Sequence, residues 1–295
     1  MRSDETPSNT HTHAAATHPY PGDPGDPEHS RHVIVPELPD EKIAVDLAGV
    51  TVSYSSKPVL RHITVRIPRG VMTSITGPNG SGKTTLLRSL LGLIPVDAGE
   101  IRVFGEPVDK VRTRIAYVPQ TETVDWDFPI TAEEVVMMGR YPYLKPLRRP
   151  GKTDHELVRQ ALSTVGMTEF ADRHIRQLSG GQQQRVFIAR ALAQQADMMI
   201  LDEPFTGIDA QTEKALFELI ERLSRDGKTL LIVNHDLSLL DRFDFVILLN
   251  GAIIAAGPPE VAATAENVRL TYQGAMAAAG YAEQLLREGT IDVRR

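Results

Sequence analysis

The stretch Gly77-Pro78-Asn79-Gly80-Ser81-Gly82-Lys83-Thr84-Thr85 constrains this chain more than any other. Its pattern, G-x-x-x-x-G-K-[ST], is a phosphate cradle when a strand runs into it and a helix leaves it. Both flanks are present: the apolar residues 71–76 read as a buried strand and residues 84–91 as a helix. The glycines let successive backbone N–H groups turn toward phosphate oxygens, where a Cβ would obstruct them. The helix N-terminus adds unpaired donors and partial positive charge at the same point. Lys83 is then spaced to reach the β- and γ-phosphates, and the Thr84 hydroxyl to ligate magnesium. The plainer alternative, a glycine-rich turn between strand and helix, leaves the full pattern in this setting without a reason.

A strand–cradle–helix unit calls for further strands alternating with helices, and the chain supplies them. Residues 43–47, 50–54 and 62–67 alternate like strands of an antiparallel sheet placed ahead of the cradle. Tyr54 stands near the end of one, in a small and polar setting, where an aromatic ring either stacks on a base or is an ordinary half-buried strand residue. Residues 99–104 and 114–118 read as strands, the second leading to Pro119-Gln120. Helical signals follow: Thr131-Ala132-Glu133-Glu134 has the form of a capping box, and residues 135–140 and 154–165 are periodic, so residues 121–177 are expected to form an inserted helical subdomain. Ser179-Gly180-Gly181-Gln182 opens a helix over 182–194 and is a second possible anion site. Residues 198–201 form an apolar strand ending in Asp202-Glu203, a helix covers 211–223, and residues 229–233 lead into Asn234-His235-Asp236. Two more strands, 245–249 and 252–256, and short helices reach Tyr272.

Continuous apolar strands alternating with helices imply a parallel sheet covered on both faces. Ligands of such sheets bind beyond the carboxyl ends of the strands. The cradle, Gln120, Asp202-Glu203 and His235 all follow strands, so one sheet edge is expected to collect them. Asp202 offers a hard oxygen for magnesium beside Thr84; Glu203 suits a base for an attacking water; Gln120 suits orienting that water or touching the metal; His235 suits contact with the γ-phosphate. Taken singly, an acid pair after a strand is as often a helix N-cap.

Composition narrows the partners. Residues 1–42 hold eight Asp/Glu against three Lys/Arg, which accounts for most of the net charge of −6. The nearly neutral remainder argues against nucleic acid as a partner, since phosphate backbones want a basic face. The same 42 residues are rich in Pro, Gly, Thr and His, carry five of the nine histidines and show no hydrophobic period, so a solvated, disordered tail is expected there. Residues 273–295 are an Ala-rich tail that could be helical and has no assigned role. No run of eighteen apolar residues exists, the N-terminus has no apolar signal core, and cysteine is absent, which removes disulfides and thiolate chemistry. A soluble, intracellular protein is expected.

The order of these motifs resembles the Walker A (Gly77 to Thr85), Q-loop (Gln120), signature (178–182), Walker B (200–204), D-loop (Gly207-Ile208-Asp209) and switch-histidine (His235) motifs of ATP-binding cassette (ABC) ATPases, across residues 43–272. The resemblance implies an α/β P-loop NTPase core with a mostly parallel sheet, an N-terminal antiparallel β-subdomain and the inserted helical subdomain, using ATP and Mg2+. It implies a head-to-tail pair of cassettes in which Ser179, Gly180, Gly181 and Gln182 of one copy close over the nucleotide of the other, Asp209 crosses the interface, and Tyr54 stacks on adenine. Residues 123–130 and 135–141 are similar to the ATPase subunits of bacterial manganese, zinc and iron importers. That narrower likeness implies a peripheral subunit at the cytoplasmic face of the membrane, working with permease subunits and, through them, a solute-binding protein. Trp126 and Phe128 would line a groove for a permease helix, or else belong to the subdomain's own core. An importer of iron chelates or corrinoids is the alternative substrate class. A soluble ABC protein of DNA repair or translation would carry a long coiled-coil insertion or a second cassette, and a small-molecule kinase would not need residues 178–182.

Overall fold

The computed structural model describes residues 32–33, 38–54, 57–120, 129–145 and 147–272. The expected groove residues Trp126 and Phe128, residues 273–295 and most of the N-terminal segment lie outside them.

Two sheets divide the work. Strands β1 (His32–Val33), β4 (Met72–Thr76), β7 (Ile115–Val118), β8 (Met198–Asp202), β9 (Thr229–Val233), β10 (Phe245–Leu249) and β11 (Ile253–Gly257) form a seven-stranded sheet in the order β1-β11-β10-β4-β9-β8-β7. Every pairing from β10 to β7 is parallel, and β10–β11 is antiparallel. Strands β2 (Ile43–Tyr54), β3 (Lys57–Pro68), β5 (Ala98–Val103) and β6 (Glu106–Pro107) make a separate antiparallel sheet ordered β3-β2-β5-β6.

The central strands are buried on both faces, and period-2 alternation sorts their side chains between two cores. Met199 and Leu201 of β8, Leu230 and Ile232 of β9, and Val246 and Leu248 of β10 face one core. It also holds side chains of α3 (Ala132–Met137), α4 (Lys152–Thr164), α5 (Gly180–Ala193) and α6 (Ala210–Arg225). Met198, Ile200, Leu231, Val233, Ile247 and Leu249 face the other, filled by the antiparallel sheet and by Leu86, Leu87 and Leu90 of α1 (Lys83–Leu90). The cradle helix is thus wedged between the sheets. Short helices α7 (Pro259–Ala262) and α8 (Ala265–Thr271) close the far side against β10 and β11.

The helical insert uses α5 as its floor. Thr131 caps α3 in a complete box with Glu134, as its sequence suggests. Gly139 lets the following turn approach α5 so closely that a Cβ would lie 2.2 Å from Arg190 O. Arg140, buried to 7% exposure, donates to Asp154 on α4 and to Ala193 O at the end of α5, and lies over the Tyr143 ring. Only part of residues 121–177 is described, and in space the helical unit includes α5, which follows them in sequence.

Three expectations need correction. The N-terminal boundary at residue 42 is too late: His32–Val33 pairs in parallel with Ala255 and Ala256, while Leu38 O and Asp40 accept hydrogen bonds from Arg66 of β3. A two-residue strand is too short for periodicity to reveal. Residues 43–54 are one strand rather than two, because Gly49, at φ +63°, absorbs an extra residue where the ladder shifts register. The next strand starts at Lys57, well before residue 62, since Lys57 and Pro58 are exposed and the adjacent apolar pair Val59-Leu60 does not alternate.

Candidate active site

The cradle follows β4, and its glycines are fixed by close packing as well as by torsion. A Cβ on Gly77 would stand 2.0 Å from Leu249 O, so the loop crosses directly over the end of β10. Gly82, at φ +100°, would bring a Cβ to 2.6 Å from a Leu60 methyl. Gly80, at φ +79°, opens onto free space, as a mouth for a ligand must. Pro78 O accepts from Ser81 N–H, which tightens the loop, and the Ser81 hydroxyl is buried without a hydrogen-bond partner. Asn79 is exposed, Thr84 is exposed at the helix start, and Thr85 is buried.

Lys83 is 6% exposed, and its ammonium donates to Gly77 O at 2.7 Å and Pro78 O at 3.0 Å. An ammonium has three donors, so one is left for a phosphate oxygen. Burial holds its pKa below the usual lysine value, while Glu203 and Asp202 pull the other way. An orphaned hydroxyl, a spare ammonium proton, an open glycine and an exposed threonine fit a polyphosphate with its magnesium.

The acidic pair sits where β8 ends. Asp202, 9% exposed, accepts from Tyr117 Oη at 3.0 Å. Burial raises its pKa first, with Glu203 adding to the rise; the Tyr117 hydrogen bond, Lys83 and His235 lower it. Tyr117, on β7, is not singled out by the sequence, where it reads as one more apolar strand position. Burial and the neighbouring Asp202 push its own ionisation up.

Glu203 lies in the left-handed region at φ +49°, a strained setting for a residue with a side chain. Its Oε2 accepts from Gln120 at 3.3 Å and from the Thr206 hydroxyl at 3.5 Å, and its Oε1 meets His235 Nε2. The histidine is presented by a pinned loop: the Asn234 amide donates to Asp236 O and accepts from Asp236 N–H, while Asp236 takes Ser238 N–H. A cleft of about 150 Å3 between Glu203, Thr206 and residues 233–236 opens beside this cluster. The sequence expectation of one shared sheet edge holds for Lys83, Asp202, Glu203, Gln120 and His235, because β9 lies between β4 and β8, and β7 borders β8.

Ser179, Gly180, Gly181, Gln182 and Asp209 form a second group. The Ser179 hydroxyl accepts from Gln182 N–H, and the Gln182 side chain accepts from Ser179 N–H, closing a capping box on α5. Asp209 caps α6 through Gln211 N–H, Thr212 N–H and the Thr212 hydroxyl. Those hydrogen bonds hold its carboxyl below the usual range, the Thr212 hydroxyl foremost. Gly181 is pressed on Thr212 and Gly180 faces Gly207 O, so the two caps form one surface. Tyr54, 46% exposed, ends β2.

The ABC transporter family profile matches residues 60–206. The zinc transport system ATP-binding protein TroB of Treponema pallidum is 51% identical over 239 residues, 81% of this chain and 90% of that protein. The manganese transport system ATP-binding protein MntB of Bacillus subtilis is 51% identical over 231 residues, 78% and 92% of the two chains. The chelated iron transport system protein YfeB of Yersinia pestis is 42% identical over 232 residues, 77% of this chain and 78% of that protein. Among solved structures, a metal-chelate type ABC transporter in an inward-facing conformation superposes with TM-score 0.71 at 26% identity, covering 78% and 89%. A bacterial ABC transporter cassette solved as a dimer gives 0.64 at 28%, covering 72% and 98%. The chain belongs to the ABC transporter family and is one of its ATP-binding, ATP-hydrolysing cassettes.

Proposed function

We propose that this chain is the ATPase subunit of an importer that moves a transition-metal cation, manganese, zinc or iron, into the cell. The observation that carries this reading is 51% identity, across nine-tenths of their length, to ATP-binding subunits named for zinc and manganese transport. The chelated-iron relative stands at 42%, below the 51% of the zinc and manganese subunits, which favours a cation over a chelate or corrinoid.

In this reading the ATPase unit runs to residue 272 and takes in, ahead of residue 43, the strand His32–Val33 and residues 38–42, with the helical insert over 121–177. Tyr54, an exposed residue, stacks on adenine. The cradle residues Gly77, Pro78, Asn79, Gly80, Ser81, Gly82, Thr84 and Thr85 surround the phosphates, and Lys83 donates its remaining ammonium N–H as a hydrogen bond to a terminal phosphate oxygen. Thr84 and Asp202, with Gln120 nearby, hold magnesium, which when bound with ATP neutralises charge on the β- and γ-phosphates. Glu203 takes a proton from the attacking water, and its contacts with Gln120, Thr206 and His235 aim its carboxylate. His235, on the same edge, serves the γ-phosphate side. Ser179, Gly180, Gly181, Gln182 and Asp209 act on the nucleotide of a second copy, head to tail.

The metal's path lies in separate permease subunits, fed by a solute-binding protein, and this subunit sits at their cytoplasmic face without binding nucleic acid. No described helix is long and apolar enough to cross a membrane, which agrees with a peripheral subunit. The test is growth of a deletion strain carrying the wild-type gene or Lys83→Ala, under separate limitation of manganese, zinc and iron. Rescue by wild type alone under one of these limitations is expected. Indifference to all three would overturn the substrate class.

A further inference from the structure

Resting on the assignment of Asp202 as a metal ligand, we propose that Tyr117 is a positioning residue for magnesium: its hydroxyl holds Asp202 Oδ2 and leaves Oδ1 for the metal's coordination shell. The strand register explains why a tyrosine is required. Tyr117 pairs with Ile200 in the parallel β7–β8 ladder, and Asp202 lies two residues further on the same face of β8. Two residues of parallel strand span about 6.6 Å, the reach of a phenol hydroxyl and beyond that of serine or threonine. Phenylalanine would fill the same space without a donor.

The backbone of Tyr117 is also anchored. Among the described residues β7 is the edge strand of the large sheet, and its outward carbonyls find no partner strand there. α5 and the residue that ends it supply the missing donors: Arg190 bonds Tyr117 O at 2.9 Å, and the amide of Gln194, the C-cap, bonds Ile115 O at 2.9 Å and Thr113 O, just ahead of the strand, at 3.0 Å. The phenol is therefore carried on a strand clamped by the helix whose start is Ser179 and Gly180. A carboxylate gripped at one oxygen turns less freely about its last torsion, and it meets the metal already oriented. Partners of metal ligands act in this way, and their loss costs about 10–100-fold in metal affinity.

The experiment is a titration of Mn2+, standing in for Mg2+, into protein with a non-hydrolysable ATP analogue, read by electron paramagnetic resonance. Affinity for the analogue in EDTA is measured alongside. Tyr117→Phe should weaken Mn2+ binding about 10–100-fold and leave metal-free nucleotide affinity within about twofold. Asp202→Asn should weaken Mn2+ binding on its own, and adding Tyr117→Phe to it should change little further, since the hydroxyl acts through that carboxylate. If Asp202→Asn weakens Mn2+ binding and Tyr117→Phe does not, the positioning role is wrong and the metal site stands. A parallel loss of metal-free nucleotide binding in Tyr117→Phe would make the hydroxyl merely structural and overturn the proposal. If Asp202→Asn leaves Mn2+ affinity unchanged, the ligand assignment fails and takes the inference with it.

Discussion

Gly181 is where the start of α5 meets the first turn of α6, and one methyl group there should be enough to separate them. In Gly181→Ala the new Cβ would lie 2.2 Å from Thr212 Cγ2, about 1.2 Å short of the 3.4 Å at which ordinary contact begins. Thr212 escapes only by rotating, which takes its hydroxyl off Asp209 Oδ2, now 2.6 Å away, or by moving the helix start. Overpacking of this kind costs about 1–3 kcal/mol. Alanine's better helix propensity returns at most about 1 kcal/mol. A net loss of about 1–2 kcal/mol is expected, read as a lower urea midpoint at constant slope. Thr212→Ser removes the clashing methyl and keeps the hydroxyl, so in that background Gly181→Ala should be neutral or stabilising. The coupling between the two changes should reach about 1 kcal/mol or more. Equal losses in both backgrounds would refute the packing argument and the geometry behind it.

Asp202→Asn should lower ATPase activity by at least about 10–100-fold while stabilising the metal-free protein at neutral pH. Burial lifts the Asp202 pKa above the ordinary 3.8, so the folded state binds that proton more tightly than the unfolded chain, and stability falls as pH rises between the two values. Asparagine removes this penalty; thermal melts should show the gain at pH 7 and its disappearance below the ordinary carboxylate pKa. No gain at pH 7 would mean that Lys83 and His235 already compensate the charge. Tyr54→Ala should weaken ATP binding by the about 1–3 kcal/mol of one base–aromatic stack and leave the urea midpoint unchanged, because the residue is exposed. A nucleotide titration showing equal affinity would remove adenine stacking from its role.

Much of this site is legible in the sequence because its groups sit at fixed offsets from strand ends. Asp202 and Glu203 end an apolar strand, His235 follows another by two residues, and the cradle follows a third; a parallel sheet then delivers all three to one edge whatever the loops do. The capping box at Thr131 is equally local and folds as its residues suggest, while the helix expected from residue 182 starts at Gly180 under a Ser179–Gln182 box. What escapes is set by register and by three-dimensional proximity. Tyr117 is invisible as a partner of Asp202 because their meeting depends on which strands neighbour each other, 85 residues apart in sequence. Arg190 and Gln194 look like surface positions of an amphipathic helix, yet they satisfy the carbonyls of an edge strand. The left-handed backbone of Glu203 follows from the turn it begins, and no residue type announces it. The pairing of His32–Val33 fails to show for the opposite reason, being two residues of backbone hydrogen bonding within a segment whose composition reads as a tail.

The central claim, that two copies of this cassette close on ATP and that Glu203 drives its hydrolysis, is tested most directly by light scattering on Glu203→Gln with and without ATP. The amide keeps the size and hydrogen bonding of the side chain and loses its basicity, so turnover should fall about 10²–10⁴-fold while Lys83, Thr84 and Asp202 still hold the nucleotide. Unhydrolysed ATP then links the copies, and the scattering mass should double with ATP and return to that of one chain without it. Ser179→Arg in the same background should bind ATP and remain a monomer. Glu203→Gln protein that binds ATP and stays monomeric at every concentration reached, or that hydrolyses ATP at the wild-type rate, would contradict the account.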